Sequence, residues 1–258
     1  MAEADARHVY RCTVTLCEHT FFSSRELGAF FQTEALLGNY ALAYALGRAQ
    51  SPYRAGADVA YATQLRPAHD RGIYVTPGTF VPPVRFALTE WNAISDAYWY
   101  AMASNAVVVR PDGARAFADG QTWYVQRPGE NRHKVAASNY PQHGRIKLLA
   151  LGNRAVCYVL SRTPLVLPPY IRLGKWMSKA RVEVEGCLAE PEERPASPLP
   201  LLLNPADLPD PAALSAFDLV SVHPVPLVQN AVIGGPCLRA PGGAWLPAGM
   251  RFAPAVSA

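Results

Sequence analysis

Ten lysines and arginines, with no aspartate or glutamate among them, lie in residues 131–182 of this 258-residue chain. Cationic side chains neutralise phosphates and release condensed counterions. The same segment contains Tyr140, Tyr158, Tyr170 and Trp176, and aromatic rings stack on unpaired bases. The pattern favours a polyanionic partner, with nucleic acid ahead of a membrane surface or an acidic protein.

The net charge of the whole chain conceals this segment. It is only +4, because residues 1–130 and 183–258 carry more acidic than basic residues. Within the segment, Arg172, Lys175 and Lys179 are three and four residues apart, so a helix or a tight turn would bring them to one side. The alternative, a cationic surface that contacts only an acidic protein, stays open.

A second group of residues has the chemistry to cleave RNA without a metal ion. Attack by a 2′-hydroxyl needs a general base, a general acid and a cation near the developing negative charge. The candidates are His133, Lys134, Tyr140 and His143, in a basic, turn-rich stretch over 127–144 that we interpret as a mobile loop. The alternative is that these histidines only contact phosphate.

The other chemistry-bearing residues form no recognisable site. The five cysteines include no Cys-x-x-Cys pair, which predicts buried thiols and neither a zinc site nor a disulfide framework. The sequence has no dinucleotide-binding glycine motif, P-loop, nucleophile elbow or zincin motif, so we expect no cofactor and no metal. An acidic start without a signal-peptide pattern, and no apolar run of about 18 residues, predict a cytoplasmic protein without a membrane partner.

Several elements are predicted to position these residues. Residues 9–17 alternate as a half-buried strand with Tyr10, Cys12, Val14 and Leu16 on one face. Ser23 and Glu26 have the spacing of a capping box, which predicts a helix that continues to Leu46 and ends at Gly47. Residues 145–151 and 154–160 are apolar runs joined by Gly152-Asn153, a pattern typical of a β-hairpin.

The chain changes character after residue 188. Residues 190–195 are polar and contain two prolines, and residues 199–258 are rich in proline and glycine, so we expect a linker followed by an irregular segment. The whole chain is 50% hydrophobic and 17% charged, which is enough for a packed core and argues against disorder. A strand followed by a helix and a later hairpin favours an α+β core.

Seven segments together resemble a CRISPR-associated family, the type I-D Cascade subunit of the Cas-five group. They are residues 12–16, 21–28, 33–34, 39–45, 72–77, 170–179 and 246–252. The resemblance implies a ferredoxin-like, RNA-recognition-motif-like core over residues 1–188. It also implies a long thumb insertion, roughly within 51–90, that packs on the neighbouring backbone subunit. Residues 189–258 would then form a Pro-rich linker and a C-terminal segment packed on the core.

The resemblance also implies a function. The chain would be a non-catalytic subunit that binds the 5′ handle of the guide RNA (crRNA) in a type I-D surveillance complex of antiviral defence. It would cap the backbone subunits and join them to the large subunit for double-stranded DNA targeting, with target DNA near the duplex entry. A relative in another subtype cuts RNA, which keeps a metal-independent endoribonuclease that processes precursor crRNA as the alternative.

The candidate RNA-binding residues follow from both arguments. Phosphate contacts are expected from Arg172, Lys175, Lys179 and Arg181, with Trp176 and Tyr170 as stacking residues. Arg145 and Lys147, on the predicted hairpin, are the next candidates. Arg132, His133 and Lys134 are candidates to reach RNA or the target duplex. Arg25, Asn39 and Tyr40 lie in segments that match the family and serve either RNA or the fold, two roles that we weigh equally for Asn39 and Tyr40.

Overall fold

The computed structural model describes residues 6–51, 60–93, 108–109, 114–119, 122–135, 142–210 and 214–255. Within these ranges the helices are α1 (Asn39–Ala45) and α2 (Tyr61–Asp70), and single 3₁₀ turns occupy Pro205–Asp207, Pro241–Gly243 and Ala253–Ala255. The strands are β1 (Arg7–Leu16), β2 (Arg25–Leu27), β3 (Phe30–Gln32), β4 (Leu36–Leu37), β5 (Tyr74–Val75), β6 (Gly78–Phe80), β7 (Phe86–Ala93), β8 (Val108–Val109), β9 (Arg115–Asp119), β10 (Thr122–Gln126), β11 (His133–Val135), β12 (Gln142–Leu149), β13 (Arg154–Ser161), β14 (Tyr170–Leu173), β15 (Ser178–Ala189), β16 (Pro191–Leu199), β17 (Leu214–Val220), β18 (Leu227–Arg239) and β19 (Trp245–Pro247). Over the described residues, no helix is long and apolar enough to cross a membrane.

The chain forms two compact units. Unit 1 comprises the described parts of residues 1–25, 32–87 and 147–258, and unit 2 comprises those of 26–31 and 88–146. The main sheet of unit 1 has the order β14-β15-β1-β13-β6-β4, and β5 also pairs with β13. The predicted strand at 9–17 is confirmed as β1, with Cys12, Val14 and Leu16 buried on one face.

The predicted ferredoxin-like α+β core is wrong. Such a fold needs two strand–helix–strand crossovers, whereas the described chain is mostly strand and its main sheet is a curled antiparallel half-barrel. A helix does not follow β13, because residues 162–169 contain Pro164, Pro168 and Pro169, which lack the backbone donors that a helix requires. This extended segment leads directly into the β14–β15 hairpin.

The predicted helix from the capping box at Ser23 is wrong over its first half. That stretch folds into the short strands β2, β3 and β4, and α1 begins only after Gly38. The polar side chains hold the extended chain: the Phe22 N–H donates to Thr33 Oγ1 at 3.1 Å, and the Glu34 N–H donates to Ser24 Oγ at 3.1 Å. The predicted end is confirmed, since Gly47 has a φ of +69° just after the helix.

The predicted hairpin at Gly152-Asn153 is also wrong, although both of its strands exist. Strand β12 pairs with β3 and β7, whereas β13 lies between β1 and β6. The turn is held by other partners: the Gly152 N–H donates to Leu16 O at 2.7 Å, and Asn153 Nδ2 donates to Arg85 O at 2.6 Å. The turn therefore passes the chain from one sheet to another.

The C-terminal residues are not irregular. Strands β16, β18 and β17 form a sheet in that order, and β19 pairs with the other end of β18. Residues 191–195 of the linker predicted at 190–195 lie at an edge of this sheet as part of β16, where prolines are tolerated because one side of the strand needs no partner. The register shifts between Arg194 and Ser197, which accommodates Pro195 in a bulge.

Unit 2 contains the sheet β11-β10-β9-β8. Strand β10 pairs with β9 and β11, and the Trp123–Val135 pair begins the β10–β11 register. The mobile loop predicted over 127–144 is therefore wrong for His133–Val135 and for the part of β12 that starts at Gln142. The predicted thumb within 51–90 and the predicted domain boundary at 188 stay predictions.

Candidate nucleic-acid interface

The β14–β15 hairpin brings together most of the residues on which the sequence argument depends. Tyr170 pairs with Arg181, and Arg172 pairs with Lys179. Side chains alternate between the two faces of a strand, and Ile171, Leu173 and Ala180 are buried in the core. The opposite, exposed face of the hairpin therefore carries the phenol and three cations together.

The loop that connects these strands is fixed against the preceding chain. Gly174 has a φ of +73°, and a Cβ there would lie 2.4 Å from the carbonyl oxygen of Phe21. The Lys175 N–H donates to that same oxygen at 2.8 Å. Trp176 packs on the Phe21 ring with centroids 5.2 Å apart and is still 50% exposed. The loop thus holds Lys175 and Trp176 at the end of the hairpin.

Among the described residues, the cations of the hairpin have weak interaction partners. Lys179 Nζ lies 4.4 Å from the centroid of the Tyr170 ring. Arg172 Nη1 donates to Met177 O at 3.1 Å and lies 3.8 Å from a Glu18 carboxylate oxygen. Arg181 pairs with Glu183 at 3.1 Å, with both side chains at least half exposed. Exposed pairs of this kind contribute little, so a phosphate can replace them.

A groove of about 1060 Å³ runs beside the hairpin in unit 1. Tyr170, Arg172, Lys175 and Lys179 line it from the hairpin, and its other lining residues include Ser23, Ser24, Tyr44, Tyr61 and Gln64. Strand β14 is the last strand of the main sheet on this side. The groove thus combines cations, phenols and hydroxyls in a volume that accommodates nucleotides.

Burial affects two phenols of the groove, Tyr44 and Tyr61. Burial raises the pKa of Tyr44 to about 12, and it also raises the pKa of Tyr61. The Tyr44 hydroxyl donates to Gln64 Oε1. Tyr44 therefore stays protonated at physiological pH and offers a neutral ring and hydroxyl rather than a general base.

Asn39 and Tyr40 have their polar atoms directed into the core of unit 1. Asn39 is 2% exposed, and its Nδ2 donates to Asp207 Oδ2 at 2.7 Å. The Tyr40 hydroxyl lies 3.2 Å from Asp207 Oδ1, and the Tyr74 hydroxyl lies 3.2 Å from Asp207 Oδ2. Asn204 Nδ2 contacts both Asn39 Oδ1 and the Tyr40 hydroxyl. We call these five residues the Asp207 network, and it favours the fold role for Asn39 and Tyr40.

The other candidates of unit 1 lie outside the hairpin. Arg25 Nε is 2.9 Å from Glu34 Oε1, so its charge is paired. Lys147 Nζ lies 3.9 Å from the centroid of the Phe86 ring. Neither residue lines the groove.

The remaining candidates belong to unit 2. Arg145 pairs with Glu90 at 3.3 Å, Arg132 lies over the Tyr124 ring at 4.6 Å, and His133 Nε2 is 4.0 Å from Glu130. Lys134 is exposed on β11. Of the ribonuclease candidates, His143 lies in β12, and Tyr140 lies outside the described residues.

Sequence reasoning missed two kinds of residue. Thr15 pairs with both Arg181 and Arg154, which places Arg154 on the same face as the hairpin cations. The alternation of residues 9–17 already assigned Thr15 to the outer face, but only the pairing shows which cations adjoin it. Asp207 was missed because its partners are up to 168 residues away in the chain.

The comparison with known families agrees with the resemblance seen in the sequence segments. The family model described as type I-D CRISPR-associated protein Cas5/Csc1 matches residues 7–254. No curated protein matches the chain.

Proposed function

The chain belongs to the type I-D CRISPR-associated Cas5/Csc1 family, and from this premise we propose that it binds the 5′ handle of the guide RNA in a Cascade complex. Membership of the family makes it a Cascade subunit. The observation that carries the finer proposal is the grouping of Tyr170, Arg172, Lys179 and Arg181 on one exposed hairpin face beside the groove.

The groove favours RNA over an acidic protein as the occupant. An acidic peptide needs cations alone, whereas single-stranded RNA also uses aromatic rings on which its bases stack. Tyr170 and Trp176 are about half exposed next to the cations, so a base can stack on a ring while its phosphate contacts Lys175 or Lys179. The 5′ handle is single-stranded, and its bases are free for such contacts.

The proposed role is binding rather than cleavage. The residues of the groove hold and orient RNA: the cations contact phosphates, and the exposed rings stack on bases. None of these steps requires proton abstraction from a 2′-hydroxyl. We extend the proposal from the family to the partners, namely a backbone subunit, the large subunit and target DNA near the duplex entry.

The test is to express the tagged chain with its neighbouring genes and a repeat–spacer array, and to sequence the 5′ ends of the co-purified RNA. Small RNAs that share one short repeat-derived leader are the expected result. Recovery of the chain with random fragments, or without RNA, would contradict the proposal. Incubation of the purified chain with precursor RNA in EDTA tests the alternative, since site-specific cleavage that disappears in His133→Ala would favour an endoribonuclease.

A further inference from the structure

The register of the main sheet continues the exposed hairpin face across two further strands. Tyr170 pairs with Arg181, and Arg181 pairs with Thr15. Thr15 pairs in turn with Arg154. Directly paired residues of an antiparallel sheet point to the same face. These four residues, one each from β14, β15, β1 and β13, form what we call the cross-strand row.

The spacing of the cross-strand row suits a nucleic-acid backbone. Neighbouring strands are about 4.8 Å apart, so Arg181 and Arg154 stand roughly 10 Å apart with Thr15 between them. Arg154 is exposed, and within the described part of the chain it forms no ion pair. A guanidinium presents a fork of donors that matches a phosphate, and the Thr15 hydroxyl is a further donor between the two forks.

Carboxylates on β15 limit the direction in which a phosphate chain can cross this surface. Along β15, Glu183 and Glu185 follow Arg181 on the same face, and they pair with Arg181 and Arg11 at 3.1 Å each. A phosphate chain that ran along β15 would meet these two acidic side chains. A chain that crosses from β14 towards β13 follows the cross-strand row, whose members Tyr170, Arg181, Thr15 and Arg154 include no carboxylate.

We propose that the cross-strand row binds the sugar-phosphate backbone of single-stranded RNA where it leaves the groove. This inference rests on the proposed function, because RNA must first occupy the groove. The row adds Arg154 and Thr15 to the interface. It contacts phosphates and a hydroxyl-bearing backbone rather than base edges, so it supports affinity without sequence preference.

The test uses the full chain and two single-stranded RNAs with the same 5′ sequence, about four and about twelve nucleotides long, to span the usual site sizes. Fluorescence anisotropy measures both affinities for wild type, Arg154→Ala, Thr15→Glu and the double variant Lys175→Ala/Lys179→Ala. Arg66→Ala is the matched charge control, because Arg66 is an exposed residue of α2 paired with Asp70. Thermal unfolding establishes that each variant is folded.

The expected result for Arg154→Ala is an unchanged affinity for the short RNA and a roughly fivefold loss for the long RNA, with a shallower salt dependence. Thr15→Glu should weaken binding further, since its carboxylate would pair with both neighbouring arginines. Suppose that Arg154→Ala and Thr15→Glu bind the long RNA as tightly as Arg66→Ala does, while the lysine variant binds it more weakly. The proposal for the cross-strand row is then wrong, and the proposed function stands. If wild type binds neither RNA, both fall together.

Discussion

Asn39 and Asp207 are 168 residues apart in the chain, and a 2.7 Å hydrogen bond joins them in the buried Asp207 network. The same carboxylate accepts the backbone N–H of Ala253 at 2.8 Å. One buried group therefore ties α1 and β5 to the 3₁₀ turn at 205–207 and to the C-terminal segment. The segments that flank the groove depend on this network for their position.

The first prediction separates the fold role of Asn39 from an RNA role. Asn39→Ala removes a donor from a buried carboxylate and an acceptor from Asn204, so we expect a loss of about 2 kcal/mol in the free energy of unfolding. The RNA affinity of the folded variant should equal that of wild type. Denaturant unfolding and anisotropy measure the two quantities.

Arg172→Ala is the opposing control for Asn39. Its side chain is exposed and bonds only at the surface, so the free energy of unfolding should change little while RNA affinity falls. A loss of RNA affinity in folded Asn39→Ala would contradict the fold role.

The second prediction concerns pH. Burial raises the pKa of Asp207 from 3.8 to about 6, so between these values the folded state binds more protons than the unfolded state. The contribution of this group to stability is therefore complete below pH 3.8 and declines as the pH rises towards 6, by about 3 kcal/mol in total. Wild type should lose unfolding free energy across this window relative to Asp207→Asn. Parallel pH profiles for the two proteins would contradict the burial argument.

Gly174 supports the third prediction, which concerns the loop that presents Lys175 and Trp176. Gly174→Ala would place a Cβ 2.4 Å from Phe21 O at a positive φ, so the loop must move and RNA affinity should fall several-fold. Gly243→Ala is the matched control, since Gly243 has a φ of +80° with nothing within 4 Å of an added Cβ. The control shares the backbone strain and lacks the clash. Equal effects of both substitutions on RNA affinity would show that loop position is unimportant.

Local periodicity predicted β1, but it did not predict why the cations of the β14–β15 hairpin lie together. Helical spacing predicted that Arg172 and Lys179 converge, and they do converge, because strand pairing places them opposite each other. The two mechanisms give the same outcome from different structures. The prediction of a ferredoxin-like core came from the resemblance, and the chain does not form the helix that such a core needs after β13, where Pro164, Pro168 and Pro169 lie.

Long-range pairing accounts for most of what the sequence could not show. The Asp207 network joins residues whose separation leaves no local pattern. Strand β16 contains prolines that argue locally against a strand, and its edge position and bulge make them acceptable. The sequence placed Arg154 in a predicted hairpin, and its position beside Thr15 is known only from the register of β1 against β13.

The fourth prediction measures how many phosphates the hairpin neutralises. Lys175→Ala/Lys179→Ala should weaken binding of single-stranded RNA and reduce the slope of log affinity against log salt by roughly 0.7 for each phosphate that the variant no longer neutralises. Arg66→Ala/Arg71→Ala on and just after α2 removes the same charge from residues that do not line the groove. If both double variants reduced the slope equally, the effect would come from the overall charge of the protein. A slope that changes only in the lysine variant assigns the released counterions to the groove, because counterion release reports neutralised phosphates rather than net charge.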